Sequence, residues 1–454
     1  MAPQAVIPAG GSRCRESAPM CEQSTTDRAL VASMIARLAA AVPERSRRTF
    51  TELLIGVAVT ASGHVTDAIA AAGHFHAWTA YFWCVGHARW SWLAVWAALL
   101  DLLKQRFAPA VWYVILDDTV VERCSSRAPE CRCHFNHTAK PNRPRFILGQ
   151  GWVCLAAVVE RAGRIGAVPL MLRLVRAGGN RGKLDLGRLM LRLLGDRLGR
   201  VRLLVDAWYM RARLIEAAVQ FGHCVIGRAR KDLALYDEPP PRRPGQRGAP
   251  RKYGARMTPE RVDRLPVVRT AQILYGHFEV VRYRTCCVAA RFLKGMVVRA
   301  VWIELERPDR PSGCTETRLL ICTDPMLPAP EVIRAYARRW AVEPLFFDLK
   351  HRWGLKDAWQ QSRKALIRWV TILAAGYALN QILAFTDPAL LGSLARPAPW
   401  RRPGERTAGI IRTGLDRILR QVGIAGLMTA KSPEIEAANL PAGYPAGTAA
   451  LSAA

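Results

Sequence analysis

The chain has 454 residues, half of them hydrophobic, which is enough apolar material for two or three folded domains and excludes a largely disordered protein. Its 66 Lys and Arg face only 36 Asp and Glu, a formal charge of +30 at neutral pH. An excess this large, spread along the chain rather than gathered in a tail, points to a polyanionic partner. Nucleic acid fits better than a membrane surface, because no basic amphipathic anchor stands out.

Residues 1–45 are rich in Ala, Ser and Pro and are expected to form a flexible leader that turns helical near 26–41. No secretory leader is expected, because the apolar stretch 35–42 is short and broken by Arg37. Residues 46–108 carry helical periodicity with breaks at Gly63, Gly73 and Gly86, which predicts three or four short helices. Charge and position suit a DNA-reading helical domain; a packing domain without DNA contact has the same pattern. The apolar runs 92–103 and 370–385 are interrupted by Asp101 and by Asn380 and Gln381, and read as buried core helices rather than membrane spans. The expected location is the cytoplasm, beside the nucleoid, where most of the 12 cysteines stay reduced. Cys124, Cys131, Cys133, His134 and His137 form one cluster. A Cys-x-Cys spacing without a second matching pair argues for a basic loop over a zinc site.

The pattern changes at residue 109. An apolar run at 111–116 predicts a strand that ends at Asp117-Asp118-Thr119. Runs at 151–159 and 165–175, joined by a turn, predict a hairpin beside it. A helix over 184–198, a buried strand over 201–205 ending at Asp206, a helix over 209–221 and a strand over 224–227 follow. The order over 109–230 suits a mixed α/β sheet with acids at strand ends. Residues 231–316 read as β-rich, with strands between 267 and 306. Before them, residues 239–256 form a Pro- and Gly-rich loop with Arg242, Arg243, Arg247, Arg251, Lys252 and Arg256 and no acid. Such a loop is a natural contact for a phosphate backbone; a solvated linker is the alternative. Residues 317–390 predict a strand at 318–322 and helices at 329–352 and 363–385. The Pro- and Ala-rich stretch 391–454 holds one further helix at 408–422 and an unstructured end.

On the 329–352 helix, Tyr336, Arg339, Glu343 and Lys350 fall within an arc of roughly 60° at about 100° per residue. One face thus presents a phenol, a guanidinium, a carboxylate and an ammonium. Pro344 is expected to kink the helix beside Glu343 and loosen the alignment of Lys350. Spacing alone leaves a simple ion-pair ladder as open as a functional site.

The spacing Tyr336-x2-Arg339-x3-Glu343-x6-Lys350 resembles the Y-R-E-K signature of DDE insertion-sequence transposases, specifically insertion-sequence family four and its relatives. The flanking Arg338, Trp340 and Phe346-Phe347-Asp348-Leu349 look alike too. Asp206-Ala207-Trp208-Tyr209 and the segment NRPRFILGQG at 142–151, followed by Trp152, resemble a subgroup of these elements. The resemblance covers roughly 46–390. It departs after the second acid, where the Asp-Arg-Glu-Ala-Asp pattern of the best-known members is absent and Asp206 is followed by Ala-Trp-Tyr-Met.

The resemblance implies an α/β fold: an RNase H-like mixed sheet flanked by helices, with a β-rich insertion domain between the second and third acids and an N-terminal helical domain. It implies catalysis by Asp118, Asp206 and Glu343. Asp118 is preferred to Asp117 because the family's acid directly precedes the Thr; alternation along a strand lets only one of the two face the site. The three carboxylates would hold two Mg²⁺ ions, with Mn²⁺ as a substitute, to stabilise the attacking and leaving oxygens of a phosphodiester displacement. Asp118 would bridge the ions, Asp206 completing one and Glu343 the other. Tyr336, Arg339 and Lys350 would hold the DNA strand. Trp302 reads as a core tryptophan rather than a clamp for a flipped base. The partners implied are double-stranded DNA, as element ends and target, and a second copy of the chain on paired ends. A nuclease on the same core and a DNA-binding descendant without catalysis are the competing readings; the presence of all three acids argues against the second of these.

Overall fold

The structure, a computed structural model, describes residues 18–429 except 137–141, 143, 179–181, 243, 246, 308–312, 393 and 396–404. His137 of the Cys/His cluster, Arg243 of the basic loop and the two chain ends therefore lie outside the described residues.

Helices α1 (Ala18–Ala40), α2 (Glu44–Val59), α3 (Val65–Ala72), α4 (Trp78–Gly86) and α5 (Trp92–Arg106) come first. Strands β1 (Trp112–Glu122), β2 (Arg132–Phe135), β3 (Phe146–Arg161) and β4 (Arg164–Leu174) follow, then α6 (Lys183–Leu198), β5 (Val201–Val205), α7 (Ala212–Gln220), β6 (Cys224–Ala229) and β7 (Leu235–Tyr236). After α8 (Pro259–Asp263) come β8 (Val268–Leu274), β9 (His277–Ala290), β10 (Met296–Leu305) and β11 (Arg318–Cys322). The chain closes with α9 (Ala329–Ala337), α10 (Val342–His351), α11 (Arg363–Ala384) and α12 (Ala408–Met428).

The strands join in one mixed sheet. Its heart runs β4-β3-β1-β5-β6: β3 is antiparallel to β1 and β4, while β1, β5 and β6 are parallel. This is the RNase H-like order, three antiparallel strands followed by two parallel ones. Residues 149–159 of β3 are all buried, so the strand is covered on both faces, and the apolar run over 151–159 reflects that. On one side Leu116 of β1 packs against α6 at Gly187; on the other, α10 and α11 cover β1 and β4. Of the two suspected spans, α11 is long and apolar enough to cross a membrane, yet 83% of its apolar window is buried inside the protein. Its Asn380 donates to the Ala58 carbonyl of α2, and Arg368 donates to the Val85 and Trp90 carbonyls. Asn380, one of the polar interruptions seen in the sequence, and Arg368 are thus joints between α11 and the N-terminal helices.

The β-rich stretch between Asp206 and Glu343 does not form a layer of its own. β11 pairs antiparallel with β6, and β10, β9 and then β7 and β8 extend the same sheet outward. Trp302 sits half-buried on β10 against the common core. In the Cys/His stretch, Arg132–Phe135 pairs with Phe146–Gly149 of β3, a strand its alternation-free sequence does not announce. Among the described residues no group of three His, Cys, Asp or Glu is arranged to hold a metal ion.

Pro344 falls just after a break in the helix expected over 329–352, in keeping with the disturbance expected beside Glu343. It stands in the first turn of α10, where a missing N–H costs little. The chain between α9 and α10 tightens into a 3₁₀ turn at Arg338–Ala341, which absorbs the hydrogen bond proline cannot give. The end of α10 is tied to the rest of the fold at two places. Arg123, buried at the end of β1, donates to the Ala358 carbonyl and to Gln150. Gly63, after α2, touches Gly354 backbone to backbone: a Cβ on Gly63 would lie 1.7 Å from the Gly354 oxygen. The Gly63 carbonyl also accepts from Trp369 Nε1 at 2.7 Å. Gly63→Ala is therefore expected to cost about 2–3 kcal/mol in urea unfolding; an unchanged midpoint would show that this contact is not a structural joint.

Candidate active site

β1 and β5 run parallel with Leu116 beside Val205, so the next residues, Asp117 and Asp206, lie on the same face; β5 ends there, whereas β1 runs on to Glu122, so the pair of aspartates expected at a strand end stands in the middle of β1. That face carries the 3₁₀ turn before α10. Arg339 Nη1 donates to Asp117 Oδ2 at 2.8 Å, and the Asp118 backbone N–H donates to Asp117 Oδ1. Burial pushes the Asp117 carboxyl up to about 7. The Arg339 charge works against that rise, and the nearby charges of Asp206 and Asp118 add to it.

Asp118 points to the opposite side, the side of Leu116 and α6. There Lys183, the first residue of α6, places Nζ 2.5 Å from Asp118 Oδ2, and the fully buried Tyr209 donates its hydroxyl to Oδ1 at 2.9 Å. Burial first, then the Asp118 charge, raise the Tyr209 phenol well above its ordinary range, so it remains a donor. Asp206 fixes Tyr209 in turn. Its Oδ1 accepts from the backbone N–H groups of Trp208 and Tyr209, both at 3.0 Å, shaping the turn into α7. Trp208 lies half-exposed, with Lys183 Nζ 5.0 Å from its ring centre.

Glu343 is exposed near the start of α10. Lys350, two turns later, is mostly buried. Burial and Lys356 lower its pKa, and the charges of Glu122, Glu343 and Asp118 oppose this. Tyr336 is buried, with the Arg339 guanidinium 5.8 Å from its ring centre. The four signature side chains thus divide between the two aspartates: Tyr336 and Arg339 gather on the side of Asp117 and Asp206, while Lys350 feels Glu343 and Asp118. The acids are a hard-oxygen donor set suited to a divalent cation of the Mg²⁺ type. Asp117 and Asp118 are each neutralised by one of the chain's own cations, Arg339 and Lys183, and the acids are not drawn together around one point.

Arg242, Arg247, Arg251 and Lys252 are all exposed on the irregular loop after β7, where Arg242 donates to the Gly248 carbonyl. Two residues of the site carry no sequence signal of their own. Lys183 is one lysine in a basic stretch, and Tyr209, though part of the Asp206-Ala207-Trp208-Tyr209 motif, gives no sign of its own that its hydroxyl reaches Asp118. Only the fold brings them to Asp118.

Residues 112–377, from the first residue of β1 to Tyr377 within α11, match the family model described as the transposase DDE domain, which is more than half of the chain. No curated protein matches the chain.

Proposed function

The chain belongs to the transposase DDE domain family, and from that premise we propose that it is a cut-and-paste transposase of the Y-R-E-K group. It nicks the ends of its element in double-stranded DNA and joins the freed 3′-hydroxyl to target DNA. The observation that supports this reading is Asp117 within β1 and Asp206 after β5 on one face, beneath the segment α9–α10 that bears Tyr336, Arg339, Glu343 and Lys350. Asp118, Asp206 and Glu343 would hold two Mg²⁺ ions, or Mn²⁺ in their place. Once bound, these supply charge stabilisation for the attacking and leaving oxygens. Arg339, Lys350 and Tyr336 hold the strand, the first two against its phosphates. Arg242, Arg247, Arg251 and Lys252 contact the duplex backbone away from the cut, with Arg243 of the same loop. The enzyme works in the cytoplasm, at the nucleoid, as a homodimer on paired ends, with residues 46–108 as a DNA-contacting helical unit.

A second reading of the first acid rests on the strand register. Asp117 shares a face with Asp206, and its carboxyl is already crowded by that neighbour. The same assay decides both questions. With Mg²⁺ and an oligonucleotide carrying the element's terminal repeat, the wild type yields joined product. Asp118→Asn abolishes it if Asp118 is the first acid, and Asp117→Asn does so if Asp117 is. Nicking without joining means a nuclease, and tight binding without cleavage means a DNA-binding protein only.

Lys183 gives a test that does not depend on turnover. It neutralises Asp118 at 2.5 Å, so it competes with any cation for that carboxylate. Lys183→Met is expected to tighten Mn²⁺ binding, followed by electron paramagnetic resonance, by about tenfold, and to lower the melting temperature in EDTA. Unchanged Mn²⁺ affinity would count against Asp118 as the ligand.

A further inference from the structure

A groove of ≈ 650 Å³ opens directly beside Asp206, beginning at Ala207. One wall is the turn into α7, with Met210, Arg211 and Ala212. The other runs from Ala229 through Arg230 and along to Ala234, and Arg291 and Phe292 complete it. Three guanidiniums therefore border a floor made apolar by Met210, Leu233 and Phe292. The sole acid among the lining residues, Asp232, is matched by two bonds from Arg230, at 3.0 and 2.7 Å. Arg211 gives its Nε to the Trp208 carbonyl, which leaves its two Nη nitrogens without a partner among the described residues. Arg291 makes no side-chain hydrogen bond or ion pair among the described residues. The first turn of α7 has no side-chain cap, so its positive end adds to the charge along this wall.

The groove holds two chemistries side by side: cationic donors for phosphate, and an apolar floor with an aromatic ring. A duplex backbone uses the first and has no use for the second. A nucleotide with its base freed from pairing uses both, with the phosphate on arginine and the base against Phe292 and Met210. The volume lies in the range of sites for ligands of nucleotide size. The far wall leads through β7 into the basic loop that begins after Tyr236, so a strand leaving the groove meets further positive charge.

We propose that this groove binds the unpaired DNA strand running on from the phosphate cut at Asp206, gripping its backbone with Arg211 and Arg291 and stacking a base on Phe292. The proposal rests on the reading of the chain as a DNA-cutting transposase. It adds a binding site for single-stranded flank that the acids and the signature helix do not supply.

The test compares two duplexes carrying the same terminal repeat, one blunt and one with a short single-stranded extension beyond the cleavage point, by fluorescence anisotropy in Ca²⁺ to hold back cleavage. The wild type is expected to bind the extended duplex about tenfold more tightly than the blunt one. Arg291→Ala, an exposed change that leaves the fold intact, and Phe292→Ala are expected to remove most of that gain while blunt-end affinity stays within about twofold. Equal affinity of the wild type for both duplexes would overturn the proposal, as would a gain that survives both substitutions, or an equal loss on blunt and extended DNA. A wild type that binds neither duplex would instead overturn the transposase reading on which the groove depends.

Discussion

Asp206→Asn is expected to lower Mg²⁺-dependent cleavage of the terminal repeat by about three orders of magnitude while leaving the protein folded and able to bind DNA. The substitution is chosen for what it keeps. Asp206 shapes the entry to α7 through one carboxylate oxygen, which accepts from the Trp208 and Tyr209 backbone N–H groups. The amide oxygen of asparagine accepts the same two bonds, so Tyr209 stays in place over Asp118. What disappears is the negative charge. If that charge serves only the turn, asparagine is silent. If it serves the displacement at phosphorus, single-turnover cleavage collapses while the melting temperature holds. Retention of more than about a tenth of wild-type cleavage would remove Asp206 from the catalytic set.

The second large effect is on stability. Asp117 has a folded-state pKa of about 7 against an ordinary 3.8, raised mainly by burial. Between those values the folded protein holds a proton that the unfolded chain has released. The stability Asp117 contributes is therefore present in full below about pH 4 and is lost as pH rises through 7, at about 1.4 kcal/mol per pH unit. In EDTA, the urea unfolding free energy of the wild type is expected to fall by about 2–3 kcal/mol from pH 5 to pH 7 relative to Asp117→Asn, which has no such proton to lose. The comparison with the variant cancels the titrating groups that do not interact with Asp117. Parallel curves for the two proteins would mean that Arg339, 2.8 Å from the carboxylate, holds Asp117 charged throughout.

The order of the α/β elements was legible because burial leaves its mark on a sequence. The strand at 201–205 and the hairpin over 151–175 are continuous apolar runs, as strands covered on both faces must be, and the helix under Glu343 shows in its period. The strand end at Asp206 was equally plain, but the end expected at Asp117-Asp118 is the middle of β1, which runs on to Glu122 against β3. Which of the two neighbouring aspartates faces Asp206 was not legible. Alternation says that they point apart, and only the pairing of Leu116 with Val205, nearly ninety residues apart along the chain, says which way. The same limit hid the contacts of Lys183 and Tyr209 with Asp118, which span 65 and 91 residues. It also hid the merging of the β-rich insertion into the main sheet, since the pairing of β11 with β6 leaves no pattern in either strand alone. The break ahead of Glu343 was legible for a local reason: Pro344 has no N–H with which to continue α9 and α10 as one α-helix.

The central claim is that acids far apart in sequence close on a pair of divalent cations when DNA arrives. Anomalous diffraction from a crystal of the protein with a terminal-repeat oligonucleotide and Mn²⁺ tests it most directly. The account predicts Mn²⁺ peaks at the carboxylates of Asp118, Asp206 and Glu343, with Lys183 drawn away from Asp118. Peaks bridged by Asp117 would move the first acid by one residue and keep the rest. Mn²⁺ bound elsewhere, with Lys183 still on Asp118 and Glu343 in solvent beside an intact DNA end, would contradict it.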